Sequence, residues 1–125
     1  MNLMQLLAVV IGSALGGVVR WRAGLWLNPA WHGFPLGTLA VNCAGGMLAG
    51  MGLVYFQRSP NETLRLLCVV GFLGGLTTFS TFSAESLSLL LKGRFELAAL
   101  HSFIHVFGAL AAAAAGARWM RSWLA

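Results

Sequence analysis

The sequence predicts an all-α membrane protein in which a single domain, residues 1–125, crosses the bilayer as four transmembrane helices. Composition is the first reason. Hydrophobic residues make up 58% of the chain and charged residues 9%, whereas a soluble domain carries about 25% charged residues. Mean hydropathy is correspondingly high, at +0.80. Distribution is the second reason. Charges collect between four uncharged stretches, Met1–Val19, Phe34–Phe56, Leu66–Ala84 and Leu97–Ala117. Each stretch is close to the roughly 20 apolar residues that a helix needs to span the hydrocarbon core. With no water there to satisfy the backbone, a helix that bonds to itself is the economical solution.

The first stretch places a helix at about residues 2–26. A cleaved signal peptide competes for it, but no Lys or Arg precedes Arg20, so the basic leader of such a peptide is missing. The second helix is expected at 34–56, the third at 63–91 and the fourth at 95–122. Brief linkers fall around Arg22–Gly33, Gln57–Glu62 and Lys92–Glu96, with Pro29, Pro35 and Pro60 at or near helix ends, where proline is tolerated. Trp21, Trp26, Trp31, Trp119 and Trp123 gather near the same ends, as interfacial anchors do.

The net charge of +5 raises nucleic acid as a partner. The basic residues are instead split among helix ends, with no stripe or patch to track phosphates, so no nucleic acid is expected. Four spans set Arg58, Arg65, Arg118 and Arg121 on one side and Arg20, Arg22, Lys92 and Arg94 on the other. Orientation ordinarily follows an excess of Lys and Arg in cytoplasmic loops, and this chain has none. Either something else dictates its topology or it inserts both ways up. Dual insertion permits an antiparallel homodimer with its two-fold axis in the membrane plane.

In lipid, helices associate through small residues that let backbones approach. Gly12/Gly16, Gly46/Gly50 and Gly71/Gly75 have that spacing, and Ala111–Ala115 offers another flat face. The spacing predicts close contacts without saying which helices make them. Cys43 and Cys68 lie inside uncharged stretches and read as small hydrophobes.

The third helix carries the densest polar pattern, from Gly71 through Gly74, Gly75, Thr77, Thr78, Phe79, Ser80, Thr81 and Phe82 to Ser83. Adjacent glycines followed by hydroxyls disfavour an unbroken helix, so a break is expected near Gly74–Thr78. Carbonyls freed at membrane depth can coordinate a cation. The alternative is a kinked helix whose hydroxyls bond back to the preceding turn. Phe79 and Phe82 share a helix face, and their positive ring edges can pass a small anion weakly. Asn42 offers an amide donor within the second helix, or interhelical glue. Arg20 is placed to set a positive potential at a pore mouth, and Arg22 to reach the headgroups. Glu85 follows the polar stretch and can sit within the bundle. His101 and His105 are four residues apart, and with no acidic or Cys partner nearby they read as packing residues rather than metal ligands. Enzymatic chemistry finds no catalytic set: the acidic residues are Glu62, Glu85 and Glu96, and there is no Asp.

Three motifs, Gly16–Trp21, Gly37–Asn42 and Gly71–Phe82 with Glu85, resemble those of the CrcB/Fluc fluoride channels, in register over all four helices. The resemblance implies a fluoride-selective channel in the cell inner membrane, an antiparallel dual-topology homodimer with two fluoride pathways. It also implies a structural sodium ion at the dimer centre, held by carbonyls that map onto Gly74 and Thr77. Phe79 and Phe82 match the phenylalanines of the pathway, Asn42 its asparagine, and Arg20 the vestibule arginine. Ser80, Thr81 and, on the fourth helix, Ser102 are expected to supply hydroxyls. Ala109 departs from the family, where a serine commonly follows the glycine matched by Gly108. The rival from another class is a small proton-coupled multidrug-type exporter, but its first helix needs an acidic residue and Met1–Val19 has none. A purely structural helper subunit is the third reading.

Overall fold

The computed structural model describes residues 1–30 and 33–125, so Trp31 lies outside the described residues. It is all-helical, with no strand among the described residues. Four helical stretches are long and apolar enough to cross a membrane: Leu3–Leu27, Leu36–Arg58, Glu62–Leu91 and Phe95–Trp123.

Local chemistry accounts for the ends. Asn2 accepts from the Gln5 amide at 2.9 Å while Gln5 Oε1 accepts from the Asn2 amide at 3.1 Å, a reciprocal cap that starts the first helix. That helix runs past the last uncharged residue, Val19, and carries Arg20 and Arg22 in its final turns. The Arg22 guanidinium lies 5.0 Å over the Trp26 ring. After a single 3₁₀ turn, Asn28–Ala30, the Asn28 carboxamide oxygen accepts from the amides of Gly37 (2.7 Å) and Thr38 (3.3 Å), capping the second helix from outside its own sequence. Asn61 caps the third span by accepting from Leu64 N at 3.0 Å. The turn between the third and fourth spans is closed by Gly93, at φ 73°. Its amide donates to Leu90 O (3.0 Å) and the Arg94 amide donates to Leu89 O (2.9 Å). That pairing needs a left-handed residue, the conformation glycine adopts without a steric penalty.

The small-residue stripes now have partners. The first helix packs on the Leu66–Leu73 and Gly74–Leu76 segments of the third span, and the second helix packs along Ala109–Trp123 of the fourth. A methyl on Gly12 would stand 2.7 Å from Phe72 N, and one on Gly16 2.7 Å from Leu76 N. On the opposing stripe, a methyl on Gly71 would stand 2.9 Å from Val9 O. Across the other pair, one on Gly46 would stand 2.7 Å from Ala109 O. Methyls on Gly50 and Gly116 would overlap the carbonyls of Ala113 and Met47. Backbones therefore touch backbones along two seams, and Gly12/Gly16 interlocks with Gly71/Gly75. Where the pairs meet, Val41, Leu73 and Leu76 form a small apolar core.

The third span is not uniform. Wide π-type turns occupy Leu66–Leu73, a short α segment follows at Gly74–Leu76, and α-helix resumes at Phe79–Leu91. Between them Thr77 (φ −85°, ψ 155°) and Thr78 (φ −152°, ψ 117°) are extended.

Candidate functional site: a polar seam around Thr77 and Thr78

The extended residues sit against Asn42, and the fit is reciprocal. Thr78 N donates to Asn42 Oδ1 at 2.8 Å, and Asn42 Nδ2 donates to Thr78 O at 3.0 Å. One carboxamide thus replaces both backbone partners that Thr78 gives up by leaving the helix, which is what irregular backbone at membrane depth requires. The same Nδ2 also lies 3.2 Å from His105 Nδ1. Thr78 Oγ1 caps the restarting helix by accepting from Thr81 N at 3.1 Å. Thr77 Oγ1 donates back to Leu73 O at 2.8 Å, the bond of an ordinary kinked helix.

These bonds divert two amides. In a continuous helix Thr78 N would face Gly74 O and Thr81 N would face Thr77 O. Here both amides turn to side-chain oxygens instead. The carbonyls of Gly74 and Thr77 are therefore released from those partners, and Gly74 lies exposed on the surface. A pair of neutral carbonyl oxygens is a donor set suited to a hard cation such as sodium. Next along the chain, the carbonyl of Gly75 accepts from Arg20 Nε at 3.0 Å, so the arginine reaches the backbone two residues before the extended Thr77.

An open groove of about 550 Å³ runs along this seam, with Asn42, Gly74, Thr77, Thr78, Phe79, Phe82 and His105 on its wall. Asn42, Phe79, Phe82 and the backbone of Gly74 and Thr77, all singled out by sequence, are brought together here. Phe79 stands 76% exposed and Phe82 is 9% exposed, with ring centroids 5.4 Å apart. A second groove, of about 340 Å³, holds Arg20 and Thr81 with Thr38 and meets the first at Thr78. Ser80 is exposed, its hydroxyl 3.3 Å from Thr78 Oγ1. Ser102 joins neither wall. Its hydroxyl lies 3.1 Å from Ser86 Oγ, which in turn lies 2.8 Å from His101 Nδ1.

The histidines require a correction. The sequence offered no acidic partner for His101 and His105, yet the fold supplies Glu85. The tight Gly93 turn folds Phe79–Leu91 onto Phe95–Phe103, so His101 Nε2 lies 3.3 Å from Glu85 Oε2. Thr38 Oγ1 donates to the other carboxylate oxygen. Glu85, His101 and His105 each bring one ligand-capable atom within 4.8 Å of the others. Phe82 covers the pair, stacked on His101 at 5.3 Å and tilted on His105 at 4.6 Å. His105 is the groove residue that sequence reasoning missed. The available signal was its position four residues before Ala109 on the same helical face, where a polar group was being sought. Ala109 itself lies on the groove wall without a polar group to offer, and its backbone carbonyl meets Gly46.

Four apolar spans, tight glycine seams and a half-buried polar seam between them define a multi-pass membrane protein. Residues 7–117 match the family described as CrcB-like protein, Camphor Resistance (CrcB). The chain is 48% identical over 124 residues to the fluoride-specific ion channel FluC of Aromatoleum aromaticum (strain EbN1), covering 98% of this chain and 95% of that one. It is 47% identical over 116 residues to FluC of Albidiferax ferrireducens, covering 91% and 88%. Against FluC of Escherichia coli O139:H28 the identity is 47% over 111 residues, covering 87% of each. The chain belongs to the CrcB/FluC family, a family of ion channels and not of enzymes.

Proposed function

We propose that this protein is a fluoride-selective channel that exports the ion passively across the cell inner membrane, working as an antiparallel dual-topology homodimer with two pathways. The observation that carries the reading is the groove in which Asn42, Thr78, Phe79 and Phe82 lie side by side, in a chain whose relatives are named fluoride-specific ion channels. Fluoride is small and holds its water strongly, so a path through lipid must offer donors and weakly positive surfaces in exchange. The ring edges of Phe79 and Phe82 supply such surfaces, and the hydroxyls of Ser80 and Thr81 are available as donors, whereas that of Ser102 lies against Ser86, away from both grooves. Arg20, tied to the Gly75 carbonyl, contributes positive potential beside the second groove.

The groove is open along one side, as expected of half a pathway that a second copy completes. The even division of basic residues between the two faces supports a partner inserted upside down. A sodium ion bound at the dimer centre would supply a fixed positive charge that offsets repulsion between two anion pathways. The carbonyls of Gly74 and Thr77, whose helical amide partners are turned away, would hold it. The multidrug-type exporter lacks its first-helix acid here, and Glu85 on the third span is already bonded by Thr38 and His101.

Purified protein in liposomes loaded with fluoride or chloride tests the reading. Fluoride should be released and chloride retained; equal release of both, or none of fluoride, refutes it. Inversion is tested separately with Ser59→Cys in a background lacking Cys43 and Cys68, which should be labelled from both sides of a cell membrane. One-sided labelling contradicts the inverted pair.

A further inference from the structure

One buried polar side-chain atom among the described residues has no partner: Nε2 of His105. It belongs to a cluster. Glu85, His101 and His105 each bring a ligand-capable atom within 4.8 Å of the others, and the two imidazoles are 0% and 4% exposed. In two respects the cluster is already arranged as a ligand set. His101 Nε2 and Glu85 Oε2 stand 3.3 Å apart, close to the spacing of two ligands that each lie about 2.0–2.1 Å from a tetrahedral zinc ion. The far side of each group is also held. His101 Nδ1 lies 2.8 Å from Ser86 Oγ, which lies 3.1 Å from Ser102 Oγ. The imidazole can therefore donate outward to the serine and turn its Nε2 lone pair to a metal. Thr38 Oγ1 donates to the other carboxylate oxygen of Glu85. Outer partners of this kind orient metal ligands and raise their basicity.

We propose that Glu85, His101 and His105 form a binding site for a divalent transition metal, zinc above all, and that an ion held there closes the groove. Two imidazoles and one carboxylate suit zinc, whereas magnesium and calcium take oxygen ligands. The carboxylate offsets half of the ion's charge, as burial between helices requires. A fourth position is left for water. Closure rests on the channel reading above; the metal site does not. His105 and Phe82 belong to the groove wall, and the Phe82 ring lies against both imidazoles. A net positive charge fixed at that wall would hold an anion instead of passing it, and conduction requires that an ion be able to leave.

His105 ties this site to the seam. Asn42 Oδ1 receives the Thr78 amide, which turns Nδ2 toward Thr78 O and His105 Nδ1. An amide NH2 only donates, so Nδ1 of the neutral His105 accepts and its proton rests on Nε2. Ligation needs the Nε2 lone pair, so that proton must pass to Nδ1 of the same ring, and the ring releases none. There it faces the Asn42 NH2, donor against donor. Asn42 therefore weakens the site by the loss of one hydrogen bond, and the site should fill when metal is raised rather than hold an ion permanently. Asn42→Asp reverses the sign. Its carboxylate accepts from Nδ1–H, the pairing that supports a ligating histidine.

The test uses full-length purified protein carrying Cys43→Ser, Cys68→Ser and His32→Ala, which remove every other Cys and His of the chain. Washed with chelator and titrated with zinc chloride in a calorimeter, it should bind one ion per chain, and magnesium should not compete. Cobalt(II) should bind with the visible absorption of a tetrahedral nitrogen and oxygen site, a signature that a purely structural hydrogen bond does not produce. His101→Gln and His105→Gln should each weaken zinc binding by more than about tenfold, and Asn42→Asp should tighten it by about tenfold, the range over which outer partners act. The absence of saturable zinc binding, binding that survives both histidine variants, or weaker binding in Asn42→Asp overturns the proposal. In liposomes of the same protein, saturating zinc should stop fluoride release; unchanged release with zinc bound overturns the closure. Liposomes that keep their fluoride without zinc would sink the channel reading alone, and calorimetry would still decide the metal site.

Discussion

Asn42→Asp is the sharpest probe of the seam, because it changes one atom and leaves the shape alone. The retained oxygen still accepts from Thr78 N at 2.8 Å. The other position becomes an oxygen facing Thr78 O at 3.0 Å and His105 Nδ1 at 3.2 Å, acceptor against acceptor on both sides. A buried acceptor left unsatisfied costs about 1–3 kcal/mol, so two cost about 2–6 kcal/mol before the added negative charge is counted. The variant has one escape. Neutral His105 can shift its proton to Nδ1 and donate to the new carboxylate, which restores one of the two contacts and leaves the one with Thr78 O. The neutral imidazole suffices for this, so the deficit that remains is the carboxylate against Thr78 O, about 1–3 kcal/mol. Thermal unfolding of the purified protein, followed by circular dichroism at about pH 8, above the ordinary histidine range, reads this directly. Fluoride flux should fall with the variant. Equal melting temperatures of variant and wild type at about pH 8 would refute the assignment of donors and acceptors around Asn42.

Gly46→Ala sets a methyl 2.7 Å from the Ala109 carbonyl, a backbone atom that cannot swing away. Parting the second and fourth spans by roughly half an ångström should cost about 1–3 kcal/mol in unfolding assays. Gly17→Ala meets nothing within 4 Å and serves as the neutral comparison. Phe79→Ile should leave the melting temperature unchanged, because the ring is exposed, while lowering fluoride flux. Phe82→Ile should lower both, since it also gives up ring contacts with His101 and His105 worth about 0.5–1.5 kcal/mol each. Arg20→Leu removes a charged donor from the Gly75 carbonyl. It should destabilise by about 1.5–3 kcal/mol and slow flux most at low ionic strength, where the arginine's potential reaches furthest.

The spans were readable because lipid imposes a simple condition on sequence, a long run without charge, and each of the four runs falls largely on an observed span, the first from Leu3 and the second from Leu36. Their ends were less readable. Val19 closes the first uncharged run, but Arg20 and Arg22 remain helical because their long side chains find Gly75 O and the Trp26 face. The glycine spacings foretold close contact, yet no one-dimensional pattern says that Gly12 meets Phe72 or that Gly46 meets Ala109. Pairing is decided by how spans are arranged around one another. The polar seam shows the same division. Asn42 and the threonines drew notice as polar groups out of place, whereas the Glu85–His101 contact depends on the Gly93 turn folding two helices together. His105 looked like packing because its partner, Asn42, lies 63 residues earlier in the chain.

Thr77 and Thr78 also divide the third span electrically. Peptide dipoles align along a helix to give about half a positive charge at its N-terminal end and half a negative charge at its C-terminal end. The segment ending at Leu76 therefore presents its negative pole, and the one starting at Phe79 its positive pole, within two residues of each other. A single copy would carry this polarity in one direction and so favour current of one sense. In the proposed inverted pair the second copy carries it the other way, and the two contributions cancel. The assembled dimer should pass current equally well in both directions, leaving the gradient of the ion to decide which way it flows.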